Sequence, residues 1–318
     1  MPLAIPTEWR KMEPAVLRDA RWRARSWMVN DPHNTVDNAR FLAGSGRSGT
    51  TWLQEIACRA GNLRPIFEPF FADRVKTFTN LPQGWYIDPD VKDDELAGRV
   101  RGVLTGEHRS PWSDHLGSVI RKGPVDGRVV KDIRTLPWLG WLATSFPELR
   151  IAHVIRHPLA VASSSTDLGW KATHLDRMIG DEALVENHLR DQIDFLRAVD
   201  TDWERAVAGW CIENQVAIRE TREFTNVARF SYETLVANET EVQRYLTHFR
   251  ITPSEDADVS RASKLSRPNS PAKKVGYAKP YWKSGMDPDK LAAAMAIIQL
   301  FGLGDVFGED GEVDFSAI

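Results

Sequence analysis

The sequence predicts an α/β fold, a single parallel β-sheet flanked by helices, within one domain over residues 1–318. From residue 40 onward, short apolar runs alternate with longer helical stretches, the order that builds a parallel sheet. A glycine-rich segment stands directly between one such run and a helical stretch. A chain of 318 residues with 42% hydrophobic and 27% charged side chains also has the material for one large core.

Residues 8–28 place Trp9, Met12, Val16 and Leu17 at helical spacing, so residues 1–39 are expected to form a helical extension. Arg18, Arg21, Arg23 and Arg25 crowd its following turns and read as a solvated face with snorkelling stems. Strands are predicted at 41–43, 65–67, 128–131, 151–155 and 227–230, and helices at 50–60, 137–145, 158–168, 184–199 and 203–223. Residues 70–127 read as an irregular insertion with aromatics at Phe70, Phe71, Phe78, Trp85, Tyr86 and Trp112; a long segment after a strand end is often functional. Residues 252–288 are polar and basic and are expected to form a mobile loop, followed by a closing helix at 288–301. No internal repeat is found, and nothing in the sequence fixes an oligomeric state.

Composition excludes several function classes. Forty-one basic against 44 acidic side chains give a net charge of −3, which argues against a nucleic-acid partner while leaving room for a local anion site. Cys58 and Cys211 sit inside helical runs with no CxxC and no histidine at metal-ligand spacing, so both read as reduced core thiols. MPLAIPTEWRKMEP lacks the apolar stretch of a signal peptide, and no run approaches 18 apolar residues. The expectation is a cytoplasmic protein with no stable membrane insertion.

The strongest chemical signal is FLAGSGRSGTTW, residues 41–52, between a strand and a helix. A turn of this kind leaves backbone N–H groups free at the positive end of a helix dipole and makes an anion site. A nucleoside triphosphatase reading uses Gly44 and Gly49 as G-x-x-x-x-G, but Thr50 stands where lysine should follow, and no later strand ends in a clear metal-binding aspartate. A dinucleotide reading uses Gly44, Gly46 and Gly49 as G-x-G-x-x-G with Glu68 as the acidic partner, implying an NAD(P)-dependent oxidoreductase. Against it, Arg47 adds a cation that motif does not need, Thr50 and Thr51 add hydroxyls suited to a terminal phosphate, and Pro69 follows the acid at once. A non-catalytic nucleotide-phosphate binding module would use the same loop if Glu68 were only structural.

A third reading uses every residue of the segment. RSGTTW resembles the 5′-phosphosulfate loop of sulfotransferases that use 3′-phosphoadenosine 5′-phosphosulfate (PAPS), a P-loop-like fold. LRIAHVIRHPLAVASSS, residues 149–165, resembles the same family's 3′-phosphate element, an arginine at a strand end followed by a helix serine, here Arg156 and Ser164. A guanidinium can grip a terminal phosphate in bidentate fashion while the hydroxyl adds a donor. VARFSYETLVAN at 227–238 is similar to the family's strand ending in Tyr-Glu, while the two tryptophans of WERAVAGW read as core packing. The resemblance spans about residues 40 to 285.

What the resemblance implies is specific. PAPS is the donor and 3′-phosphoadenosine 5′-phosphate (PAP) the product, with no metal. Arg47, Ser48, Gly49, Thr50, Thr51 and Trp52 hold the 5′ end; Arg156 and Ser164 hold the 3′-phosphate; Tyr232 helps to hold the adenine. The acceptor is a hydroxyl or amine on a small molecule, lipid or glycan, and the insertion at 70–127 binds it. In VVKDIRTLP, Lys131 matches a family lysine, whereas Ile133 occupies the place of the histidine base used by one branch. IFEPF places Glu68 where bacterial and carbohydrate-type branches carry a glutamate base, so Glu68, Arg47 and Lys131 are the expected catalytic residues. His108 and His115 are reserve bases, and His157 reads as structural. No Arg-Lys-Gly triplet is present; Arg261, Lys264 and Arg267 of the 252–288 loop are expected to close the cofactor site instead.

Overall fold

The computed structural model describes residues 29–32, 34–79, 86–116, 123–169, 174–252, 281–283, 286–309, 311 and 313–315. The helix expected at 8–28, Trp85, and Arg261, Lys264 and Arg267 lie outside the described residues.

Seven strands are described: β1 (Val29–Asn30), β2 (Ala39–Ala43), β3 (Arg64–Phe67), β4 (Gly123–Pro124), β5 (Arg128–Asp132), β6 (Arg150–Ile155) and β7 (Val227–Ser231). Five of them form one sheet in the order β3-β5-β2-β6-β7, with every pairing parallel, while β1 and β4 make a separate two-residue ladder. β2 is central, with Phe41 opposite Val130 of β5 and Ile151 of β6. Because strand side chains alternate, Phe41, Ala43, Val130 and Ile151 pack into one core and Leu42, Val129, Ala152 and Val154 into another. A strand covered on both faces carries an unbroken apolar run, which is why Phe41-Leu42-Ala43 is legible as a strand.

Among the described residues, the helices that build the cores and the site are α1 (Thr50–Ala60), α2 (Asp94–Leu104), α3 (Leu139–Ser145), α4 (Pro158–Thr166), α5 (Asp202–Glu220), α6 (Tyr232–Ala237), α7 (Glu239–His248) and α8 (Pro288–Leu300). Leu53 and Ala57 of α1 and Tyr245 and Leu246 of α7 cover the Leu42 face. Val100 and Val103 of α2 and Trp141 and Leu142 of α3 cover the Phe41 face. A further cluster joins Leu159 of α4, Trp210 and Ile212 of α5 and Ile297 of α8.

Several elements depart from the sequence reading. Residues 70–127 are not irregular throughout: Asp93 accepts from Leu96 N at 2.8 Å and starts α2, whose Leu96, Val100, Val103 and Leu104 are buried. Gly98 and Gly102 mask this helix in the sequence but lie on its open side, where a Cβ would meet nothing. Phe70 and Phe78 are buried in the core, with ring centroids 5.0 Å apart, so neither lines a binding surface. The helix expected at 184–199 is broken by a π-helical turn at Val185–Leu189, and α5 ends at Glu220, not at 223. Within the loop expected at 252–288, the described Tyr281–Lys283 forms a 3-10 turn, whose Trp282 is buried and stacks on His157 at 4.9 Å. No described helix is long and apolar enough to cross a membrane.

Candidate functional site

Because all five strands of the main sheet run the same way, their last residues, Ala43, Phe67, Asp132, Ile155 and Ser231, lie along one edge. The residues that follow them, the glycine loop, Glu68, Arg134, Arg156 and Tyr232, therefore converge from five separate stretches of sequence.

The loop between β2 and α1 is fixed by close approach. A Cβ on Gly44 would lie 2.6 Å from the Val154 carbonyl oxygen, so the loop rests directly on β6. Arg47 (φ 72°) and Gly49 (φ 81°) are both left-handed, and a Cβ on Gly49 would lie 2.3 Å from the Tyr232 ring. Ser48 is fully buried, and its hydroxyl has no hydrogen-bond partner among the described residues. Thr50 and Thr51 open α1, and Trp52 meets the Tyr232 ring edge-on at 6.1 Å.

The segment that carries Arg156 and Ser164 is joined to this loop. Arg156 Nη1 donates to the Arg47 carbonyl at 2.7 Å, and its guanidinium lies 4.6 Å from the Tyr232 ring centroid. Arg47 Nε in turn donates to Ser164 Oγ at 3.0 Å. His157 caps α4 by accepting from Leu159 N at 3.3 Å and contacts the Gly308 carbonyl at 2.9 Å. Burial lowers its pKa to about 4, in keeping with a structural role.

Glu68 stands at the end of β3 in a left-handed conformation (φ 42°), almost fully buried. Lys131 Nζ lies 2.6 Å from its Oε1, and Arg134 Nη1 lies 2.9 Å from its Oε2. Burial alone would raise the Glu68 pKa; the two cations outweigh it and hold the carboxyl below its ordinary value. Arg134 was not singled out by the sequence reading, although it lies in the VVKDIRTLP segment. Its guanidinium covers the Phe71 ring at 3.8 Å. β5 ends in an aspartate, Asp132, but its oxygens accept from Phe70 N at 3.0 Å and Arg134 N at 2.8 Å, which commits it to the backbone.

His115 lies beside this group, with its ring 4.9 Å from that of Phe67. His108 does not: it bonds Thr77 Oγ1 at 3.3 Å, and the charges acting on it are those of Asp114 and of Arg64, the first residue of β3. It belongs to the opposite end of the strand from Glu68 and drops out as a reserve base.

A polar chain missed by the sequence reading lies under the loop. Ser45 Oγ donates to Glu213 Oε2 at 2.9 Å and accepts from Asn214 Nδ2 at 3.0 Å. Asn214 Nδ2 also donates to the Trp210 carbonyl at 2.8 Å, which leaves Oδ1 to face His153 Nε2 at 3.1 Å. The signal was present: Trp210, Glu213, Asn214 and Ala217 fall at core spacing along α5, and two polar residues on such a stripe need partners.

The residues present fit a nucleotide carrying phosphates at both ends. The loop has a buried hydroxyl at Ser48 with no hydrogen-bond partner among the described residues, left-handed backbone at Arg47 and Gly49 of the kind that builds anion-binding nests, and Arg47 and Arg156 as cations. Among the described residues no group of three or more His, Cys, Asp or Glu could hold a metal ion.

The family model described as "Sulfotransferase family" matches residues 41–256, more than half of the chain. No curated protein matches it. Among solved structures, it is similar to the "Sulfotransferase Domain from the Curacin Biosynthetic Pathway" at 14% identity, with 82% of this chain and 96% of that chain covered and a TM-score of 0.45. The "Sulfotransferase Domain from the Synechococcus PCC 7002 Olefin Synthase" shares 15% identity over 83% of this chain and 94% of that one, with a TM-score of 0.41. A sulfotransferase from Alicyclobacillus acidocaldarius shares 14% identity over 82% and 95%, with a TM-score of 0.36. On the family match over the glycine loop, the Arg156 element and the Tyr232 strand, this chain belongs to the sulfotransferase family.

Proposed function

We propose that the chain transfers a sulfuryl group from PAPS to a hydroxyl or amine on a small-molecule, lipid or glycan acceptor, releasing PAP. The observation that carries the reading is the joining of two anion-binding elements through Arg47, which donates to Ser164 and whose carbonyl accepts from Arg156. When bound, PAPS supplies the activated sulfuryl group.

In this reading the loop from Arg47 to Trp52 holds the 5′ end, Arg156 and Ser164 hold the 3′-phosphate, and Tyr232 and Trp52 flank the adenine. Arg261 and Lys264 remain proposed as the residues that close the 3′ side. Arg47 and Lys131 offset charge on the leaving phosphate, and Glu68 takes the acceptor's proton. Glu68 is ionised at neutral pH because Lys131 and Arg134 hold its pKa down against burial, so it has lone pairs for a proton. Phe71 and Trp112, both partly exposed beside Arg134 or Arg74, form the apolar rim on the acceptor side.

Calorimetric titration with PAP, NADH and ATP side by side tests the reading. PAP is expected to bind and NADH and ATP are not; binding of NADH alone would overturn it.

A further inference from the structure

Two carboxylates stand at the cofactor edge, and they are held in opposite ways. Glu68 is locked between two cations. Glu213 is held on one oxygen by the hydroxyl of Ser45, inside the anion-binding loop, and its Oε1 has no hydrogen-bond partner among the described residues. Glu213 is partly exposed and makes no ion pair among the described residues.

The charges around it are few. Among the described residues, Arg134, after β5, is the charged side chain whose field reaches it, and Arg134 is already paired with Glu68. Behind Asn214, His153 of β6 is kept neutral by burial, with a pKa of about 3. One turn earlier on α5, Gly209 packs against His174, which burial also holds neutral. The facing turn Leu136–Trp138 and the neighbouring α4 bring no charged side chain. Burial raises the Glu213 carboxyl to about 7, against the hydrogen bond from Ser45 and the pull of Arg134.

We propose that Glu213 is a proton-exchanging residue of the donor site: its carboxylate takes up a proton as the anionic 5′ end of the nucleotide enters the loop and releases it when the site empties. The proposal rests on the sulfotransferase reading above and adds a pH control to that site. Its physical basis is like-charge repulsion. A phosphate or phosphosulfate group placed in the loop that contains Ser45 adds negative charge beside a carboxylate with no ion-pair partner among the described residues, and protonation relieves it. The proton comes from solvent, and no bond of the nucleotide is made or broken. Nucleotide affinity is then highest below the carboxyl's free value and falls as pH rises through its higher bound value. Each unit by which the bound value exceeds the free one makes affinity about tenfold stronger on the acid side.

The test is calorimetry of PAP binding at pH 7 in buffers of differing ionisation enthalpy, which counts protons exchanged. If binding raises the carboxyl by one unit from about 7, uptake assigned to Glu213 is roughly 0.4 proton per PAP at pH 7. Phosphates titrate near pH 6 themselves, so the readout is the difference between the parent protein and Glu213→Gln. The expected result is that Glu213→Gln still binds PAP and has lost this uptake. Equal proton exchange in the two proteins would overturn the proposal. Failure of the parent to bind PAP at any pH would instead remove the sulfotransferase reading itself. Should Glu213→Gln not fold, Ser45→Ala serves: losing the hydrogen bond that favours the ionised form moves the proton-uptake maximum to higher pH, and an unmoved maximum would equally overturn the proposal.

Discussion

Arg47 Nε donates to Ser164 Oγ across 3.0 Å, although 117 positions separate them in the chain. The residue expected at the 5′ end of the donor is thus bonded to one expected at its 3′ end. Ser164→Ala removes a single hydrogen bond to a charged group, with an expected loss of about 1.5–3 kcal/mol in PAP binding. Adenosine 5′-phosphosulfate, which lacks the 3′-phosphate, should lose a smaller share if Ser164 acts chiefly on that phosphate. Equal losses in paired titrations would show that it acts by fixing Arg47.

Arg156 has a double part, since its Nη1 also braces the Arg47 carbonyl at 2.7 Å. Arg156→Ala should cost on the order of 2–5 kcal/mol in PAP binding, the range for truncating a buried charge pair. Plain adenosine 5′-phosphosulfate should be affected far less. The comparison is made by calorimetry, and matching losses for both ligands would restrict Arg156 to holding the loop.

Glu68→Gln should lower turnover roughly 10²–10⁴-fold while PAP affinity stays nearly unchanged. It should also destabilise the fold by about 3–5 kcal/mol, because Lys131 is left buried without its carboxylate. Adding Lys131→Met removes that stranded charge and should recover much of the stability in urea unfolding. Turnover that recovers along with stability would mean that Glu68 is not the base, leaving His115 next in line.

Gly49→Ala meets two obstacles, a left-handed φ of 81° and the Tyr232 ring 2.3 Å from the new Cβ. The backbone strain alone is worth ~1–2 kcal/mol. In a Tyr232→Ala background the ring obstacle is gone, so the added cost of Gly49→Ala should shrink toward the strain alone. A full double-mutant cycle of unfolding midpoints checks this, and strict additivity would refute the contact.

Acid should weaken the fold through two histidines. His153 and His157 are held neutral by burial, with pKa values of about 3 and about 4. An imidazole in the unfolded chain titrates near 6.5, so below that value the unfolded state binds more protons. The stability these residues give is present above pH ~6.5 and is lost on acidification down through their folded values. Each contributes a slope of up to ~1.4 kcal/mol per pH unit. His157→Asn keeps a capping side chain and removes one titration. The slope of unfolding free energy against pH should therefore become shallower in that variant, and an unchanged slope would contradict the assignment.

The central sheet was legible because its strands are buried on both faces. The runs at 41–43 and 151–155 stand out by apolarity alone, and the structure extends the five predicted strands by at most two residues each. The α2 helix was hidden by Gly98 and Gly102, which weaken helix propensity on an open face while four buried apolar positions hold the helix by packing. Within the site, contiguous motifs were readable and contacts across the chain were not. Arg134 and Glu213 sit in segments whose spacing says strand end and helix core, and only the fold brings Glu213 to Ser45. Phe70 and Phe78 show the converse: aromatics in a long insertion look like a binding surface until neighbouring Trp138 claims one of them for the core, 5.1 Å away.

The contact of Gly49 with Tyr232 also orders events during synthesis. The glycine loop leaves the ribosome before the residues that complete it: one wall of it is a ring that emerges after β7, and its underside is completed by Glu213 and Asn214 of α5. A nascent chain released only as far as β6 holds the motif without the pocket. Nucleotide that needs the whole pocket cannot act as a template for the shorter chain, and the loop must wait as exposed backbone until Tyr232 has been made.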